Sequence, residues 1–224
     1  MTIFNEVATD YDQWYATKMG RFVDEVETAC AFELFMPQPD QKILDVGCGT
    51  GNFSIKLAEK GAMVTGIDVS EEMLSIARNK TGALPITYKN MDLYKLEFED
   101  NTFDAVFSMA AFEFVEFPER ALGELFRVLK PGGKLMVGTI HLDSSWGRLY
   151  TSEYFQKETV FKHAVFKTLE EMAAYYSETL KQMKECLFLP PDTPEEHISL
   201  ENELKFSANS RGGFICLLWE KPRV

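Results

Sequence analysis

The chain has 224 residues, 46% of them hydrophobic and 26% charged, with 35 acidic side chains against 23 basic ones and a formal net charge of −12. A chain this long buries a core without disulfides or metals, and the composition excludes disordered and collagen-like proteins. The negative balance disfavours DNA and RNA, whose binding leans on Lys and Arg, and favours a small-molecule partner.

Residues 1–40 read as amphipathic and helical. Phe22, Val23, Val26, Cys30 and Leu34 recur at spacings of three and four, and Pro37 and Pro39 close the region. The N-terminus lacks the basic and apolar stretches of a signal peptide, and no apolar run is long enough to span a bilayer. The expectation is a cytoplasmic protein with no membrane contact. Ile43-Leu44-Asp45-Val46 is a short apolar run ending in glycines, as a buried parallel strand ends. A helix over 52–60, a strand over 63–67 and a helix over 70–80 follow. Ser70 is the predicted N-cap of that helix, with Glu71 and Glu72 at its positive end. Strands are predicted at 86–89, 103–109 and 134–140, with a helix at 118–129 stopped by Pro131-Gly132-Gly133. Strands alternating with helices imply a parallel sheet with right-handed crossovers.

Beyond residue 140 the pattern changes. Aromatic-rich helical segments fill 141–185, including a predicted helix over 169–183. A loop covers 190–197. Two strands, 200–208 and 213–220, are expected to form an antiparallel hairpin through Asn209-Ser210-Arg211-Gly212. The organisation is one domain: an N-terminal helical cap (1–40), a core (41–140), a helical cap insertion (141–199) and a C-terminal hairpin (200–224). The four cysteines, Cys30, Cys48, Cys186 and Cys216, form no C-x-x-C pair and none lies beside a histidine at ligand spacing. They read as buried thiols in a reducing compartment, with no metal site.

The informative stretch is Asp45-Val46-Gly47-Cys48-Gly49-Thr50-Gly51, between a strand and a helix. Glycines there let a ligand approach the main chain and permit positive φ, and the next helix start offers unpaired N–H groups. Asp68 ends the second strand, 17 residues beyond Gly51. In a doubly wound sheet an acid there reaches two ribose hydroxyls. Asp92 follows the third strand, where a carboxylate can accept from the adenine amine. Three acids at three successive strand ends outline an adenosine-shaped site. The glycine spacing is G-x-G-x-G rather than the dinucleotide G-x-G-x-x-G, and no G-K-[ST] follows, which excludes a Walker A loop.

ILDVGCGTGNFS at 43–54 resembles the first motif of class I S-adenosylmethionine (SAM)-dependent methyltransferases. VTGIDVSEEML at 64–74, NMDL at 90–93, FDAVFS at 103–108 and RVLKPGGKLMVGTI at 127–140 resemble the later motifs in order and spacing. The likeness is strong over 40–140 and extends weakly to FNEVATDYDQWY at the N-terminus and GGFICLLWEKP near the C-terminus. It is greatest to the small-molecule branch, similar to ubiquinone and menaquinone biosynthesis methyltransferases. The resemblance implies a Rossmann-like α/β fold with a doubly wound, seven-stranded, mostly parallel sheet, an antiparallel last strand and a helical cap. It implies SAM as cofactor and S-adenosylhomocysteine as product. It places Gly47, Gly49 and Gly51 against the methionine part, with Asp45 helping to hold the amino group. It gives Asp68 the ribose hydroxyls, with Val69 beside the adenine, and Asp92 the adenine amine, with Leu93 near it. Met109 would approach the methionine moiety.

The implied reaction is an in-line displacement of the sulfonium methyl group by a small-molecule acceptor, catalysed mainly by positioning and desolvation. A non-catalytic SAM-binding module is the alternative reading. Relatives often carry a histidine after the fourth strand; here Ala110-Ala111-Phe112-Glu113-Phe114 stands instead. Glu113 and His141 are therefore the candidate bases. Tyr11, Trp14, Tyr15, Trp146 and Tyr150, from regions that cover the acceptor pocket in this family, are the candidate substrate contacts. No N-P-P-[YF] tetrapeptide follows the fourth strand, which argues against an amino-methyltransferase of nucleic-acid bases.

Overall fold

The computed structural model describes Phe4 and residues 8–223, the side chains of Thr9 and Asp10 excepted. Residues 1–3, 5–7 and 224, which fall in the predicted N-terminal cap and C-terminal hairpin, lie outside the described residues. The chain begins with helices α1 (Ala8–Tyr15) and α2 (Lys18–Leu34). The Thr17 hydroxyl accepts from the Gly20 N–H at 2.9 Å and starts α2. The alternating part runs β1 (Lys42–Val46), α3 (Asn52–Glu59), β2 (Met63–Asp68), α4 (Glu71–Thr81), β3 (Ile86–Asn90), β4 (Phe103–Met109), α5 (Pro118–Val128) and β5 (Leu129–Ile140). Ser70 caps α4 as expected, its hydroxyl accepting from the Met73 N–H at 3.2 Å. The remainder comprises α6 (Ser145–Tyr150), α7 (Glu153–Glu158), α8 (Leu169–Ala174), β6 (Leu180–Cys186), α9 (Leu200–Ser207) and β7 (Phe214–Glu220).

The strands form one seven-stranded sheet in the order β3-β2-β1-β4-β5-β7-β6. The first five pair in parallel, and β7 runs antiparallel to both β5 and β6. The strand order reverses between β1 and β4, the place where doubly wound sheets open a ligand crevice. Both faces of the sheet are covered. Ile43 packs into one core with α2 and Leu57 of α3, while Leu44 and Val46 enter the opposite core with Leu122 and Leu125 of α5. On β7, Phe214, Cys216 and Leu218 face the first core and Ile215, Leu217 and Trp219 the second. This period-2 division explains why these strands read as unbroken apolar runs.

Two expectations about the C-terminal third are corrected. The hairpin over 200–208 and 213–220 does not form: its first arm is helix α9, and the partner of β7 is β6. Ser199 starts α9, its hydroxyl accepting from the Asn202 N–H at 3.3 Å. The Glu203 carboxylate then accepts from the Phe188 and Leu189 N–H groups, each at 2.8 Å, which ties the helix to the end of β6. The predicted helix over 169–183 stops at Ala174, Tyr176 takes a left-handed φ of 50°, and residues 180–186 become β6. β6 is the sheet edge, and the exposed Lys181 and half-buried Lys184 blunt it. A strand pairing on one side only carries a polar pattern, and that disguised it as helix.

Candidate functional site

The loop after β1 turns in three left-handed steps: Gly47 at φ 67°, Gly49 at 52° and Gly51 at 81°. The three glycines do different work. A Cβ on Gly47 would lie 2.5 Å from the Ala111 Cβ, and one on Gly51 2.4 Å from the Tyr88 hydroxyl. One on Gly49 would meet nothing within 4 Å. Gly47 and Gly51 are required by packing, whereas Gly49 presents bare main chain to open space. Gly47 and Gly49 line the cavity, and Gly51 sits behind it, capping α3.

Asp68 holds this loop in place. One carboxylate oxygen accepts from the Gly49 N–H at 2.9 Å, and the other from the Ser70 N–H at 2.8 Å. Burial raises its pKa, partly offset by the hydrogen bonds from Ser70, Gly49 and Val69. Asp45 is fully enclosed and accepts from the Ser54 hydroxyl at 2.5 Å, joining β1 to α3. Burial pushes its carboxyl up to about 7, with the Asp68 charge adding to the effect. Asp45 lies behind the cavity wall, where its carboxylate ties β1 to α3. Asp92 is exposed at the same strand edge and accepts from the Tyr94 N–H at 2.9 Å, with Met91 and Leu93 on either side of it in the cavity wall.

The cavity has a volume of about 170 Å³. Beside the glycine loop, Asp68, Val69, Met73, Met91 and Leu93 bound it. Phe4, Tyr11, Ala110, Ala111, Phe114 and Val115 complete its wall, Ala111 packing against Gly47. Met109 is absent from this wall: it is buried and packs over Gly138 inside the sheet. Ala110 and Ala111 stand where Met109 was expected, and Ala110 bends the chain with a left-handed φ of 52°. Left-handed non-glycine residues of this kind gather at functional sites; the signal in the sequence was a pair of small residues at a strand end.

Behind Phe114 lies an aromatic cluster. Phe114 and Phe161 have ring centroids 5.6 Å apart, and Phe161 and Tyr150 4.2 Å. Tyr150 is thus a layer removed from the cavity. Trp146 is buried and donates to the Leu189 carbonyl at 2.9 Å, and Trp14 is exposed against Tyr15. Of the five predicted substrate contacts, Tyr11 alone is in the cavity wall. Burial pushes its phenol up to about 12.

Glu113 is buried directly after β4 and accepts from the Thr139 hydroxyl at 2.8 Å. Burial pushes its carboxyl up to about 7, against the pull of its own main-chain N–H, Thr139 and Lys167. A second buried acid escaped the sequence reading: Glu27 of α2, raised by burial and then by the fields of Glu113 and Asp24. The signal was present, because Glu27 falls on the apolar face shared by Val23, Val26 and Cys30. His141 is corrected. Its ring is wholly buried away from the cavity, with Nδ1 3.0 Å from the Gly212 carbonyl and Nε2 3.4 Å from the Arg211 guanidinium. Both nitrogens are used in fastening the turn before β7.

The site suits the cofactor that the glycine loop implied. Bare main chain over Gly49, the start of α3, an acid at the end of β2 and an apolar slot of Val69, Met91 and Leu93 match a charged amino-acid tail joined to a nucleoside.

Residues 44–137 match the family model described as a methyltransferase domain. An uncharacterized protein of Methanocaldococcus jannaschii is 31% identical over 222 residues, covering 99% of this chain and all of that protein. The demethylmenaquinone methyltransferase of Thermus thermophilus is 39% identical over 142 residues, or 60% of this chain and 63% of that enzyme. A crystal structure of a SAM-dependent methyltransferase from Thermotoga maritima superposes with a TM-score of 0.75 at 26% identity, covering 98% of both chains. The chain belongs to the class I SAM-dependent methyltransferases. It is an enzyme with SAM as its cofactor. Among the described residues, no helix is long and apolar enough to cross a membrane.

Proposed function

We propose that this methyltransferase acts on a small, largely apolar acceptor, which enters the cavity from the side walled by Phe4, Tyr11 and Phe114. The observation that carries the reading is the division of a single cavity. Part of the wall is bare main chain at Gly49 with a fixed acid; another part is aromatic, made by Phe4, Tyr11 and Phe114. When bound, SAM supplies a methyl group already activated on a sulfonium. Gly47 and Gly49 hold the amino-acid end of the cofactor, Asp68 and Asp92 the nucleoside, with Val69 and Leu93 packed along the base. Ala110 and Ala111, having little side chain, leave room for the approach of the acceptor. Aromatic walls exclude water from the line of displacement and orient the nucleophile.

Glu113 is buried against Thr139 and does not line the cavity, so the reading gives it no proton transfer with the acceptor. The likeness to a demethylmenaquinone methyltransferase supports a planar, quinone-like acceptor. The test is calorimetric and catalytic together. S-adenosylhomocysteine should bind to the folded protein in the micromolar range, and Asp68→Ala should weaken it about 10–100-fold, the cost of a lost charge-assisted hydrogen bond. Labelled SAM presented with phenols, quinols and amines should give methyl transfer to a phenol or quinol. Binding without any transfer across that panel would sink the acceptor assignment.

A further inference from the structure

We propose that Cys30, Cys186 and Cys216 form a three-thiolate site for a soft, monovalent metal ion of the Cu(I) type. The three Sγ atoms lie within 4.8 Å of one another, and all three side chains are buried. They come from α2, the end of β6 and the middle of β7, so nothing in their sequence spacing announces them.

The ladder brings them together. Lys184 of β6 is the register partner of Cys216, and Cys186 that of Phe214. Residues 184, 186 and 216 therefore share one face of the sheet, the face covered by α2, from which Cys30 points inward. On the same side Lys184 forms an ion pair with Glu33, one helical turn beyond Cys30, so α2 is fixed against β6 beside the sulfurs.

Geometry favours a metal over a disulfide between the strands. Cys186 and Cys216 are diagonal partners, whose Cα atoms stand about 7–8 Å apart, beyond the reach of an unstrained disulfide at roughly 4.4–6.8 Å. Three sulfurs about 2.3 Å from a central ion in one plane stand about 4.0 Å apart, so rotamer adjustments close this triangle onto a metal. Among the described residues no fourth His, Cys, Asp or Glu joins the cluster. Zn(II) prefers four ligands in a tetrahedron, whereas soft thiolates select Cu(I), which is satisfied by three. Each thiol that ligates gives up its proton. Full ligation by three thiols of one Cu(I) releases three protons and leaves a complex of charge −2 beside the Lys184 ammonium.

The reduced, metal-free protein titrated anaerobically with Cu(I) against a chromophoric Cu(I) chelator tests this. One equivalent should move to the protein, with a sulfur-to-metal charge-transfer band. X-ray absorption should show three sulfur neighbours at about 2.3 Å. Cys30→Ser, Cys186→Ser and Cys216→Ser should each lower the affinity at least 10–100-fold, while Cys48→Ser keeps the full equivalent. Should a serine variant fail to fold, the wild-type competition and its coordination number decide alone. Failure of the folded wild-type protein to compete with the chelator would overturn the proposal, as would preferential binding of Zn(II) or loss of the equivalent in Cys48→Ser.

Discussion

Two parts of the cavity wall are built from different materials. At the glycine loop the surface is main chain, held by Asp68 and by packing that tolerates no Cβ at Gly47 or Gly51. In the aromatic part it is side chain: Phe4, Tyr11 and Phe114, backed by Phe161 and Tyr150. Main chain can be reshaped only by changing glycines or their anchors, and each change is expensive. Side chains are exchangeable one at a time. A family that keeps one cofactor and varies its acceptors suits this division, because the shared ligand rests on the part least free to change.

The largest expected effect is at Gly49. In Gly49→Arg the new Cβ meets open space, so the fold survives with about 1–2 kcal/mol of left-handed strain, yet the side chain fills the cavity. SAM binding by calorimetry should fall beyond detection, more than about 1,000-fold; retained binding would break the comparison. Gly47→Ala should act on stability instead, because its Cβ would stand 2.5 Å from that of Ala111. Overpacking and a positive φ together cost about 2–4 kcal/mol, read as a fall in the denaturant midpoint.

The third prediction concerns pH. The folded-state pKa of Glu113 is raised from 4.5 to about 7 and that of Asp45 from 3.8 to about 7. Each therefore binds its proton more tightly in the folded than in the unfolded chain. Their contribution is fully present below about pH 4 and is lost as pH rises to about 7, beyond which it is flat. Glu113→Gln should remove part of that decline, on the order of 3 kcal/mol at most, in urea titrations at pH 5, 6, 7 and 8. An unchanged pH profile would count against the buried acid. The smallest effect is expected for Tyr11→Phe, which keeps the aromatic wall and removes a hydroxyl: cofactor affinity should move less than about threefold, with any larger change confined to acceptor KM.

How much of this was legible follows from which interactions are local. The five parallel strands and the cap at Ser70 were readable because burial on both faces and capping chemistry leave their marks within a few residues. The glycine loop was readable because a left-handed turn demands a residue type. β6 was not, since an edge strand borrows its character from the neighbour it pairs with. His141, Met109 and Trp146 carried functional residue types at plausible positions, but their side chains point into the packed interior. Glu27 and the three converging cysteines depend on which helix face meets which strand, and that is settled only when α2 docks on the sheet.

One small feature has reach beyond its size. Asp12 of α1 accepts from Lys80 at 2.7 Å and from the Thr50 hydroxyl at 2.7 Å, and Lys80 also donates to Asn52 at 2.6 Å. The first helix, which carries Tyr11 into the cavity wall, is thereby tied to α4 by a partly exposed ion pair and to the glycine loop by the Thr50 hydroxyl. Ions in solution weaken a partly exposed pair of this kind, so the docking of α1 against α4 is expected to loosen as ionic strength rises, while the main-chain turns of the glycine loop carry no such charge.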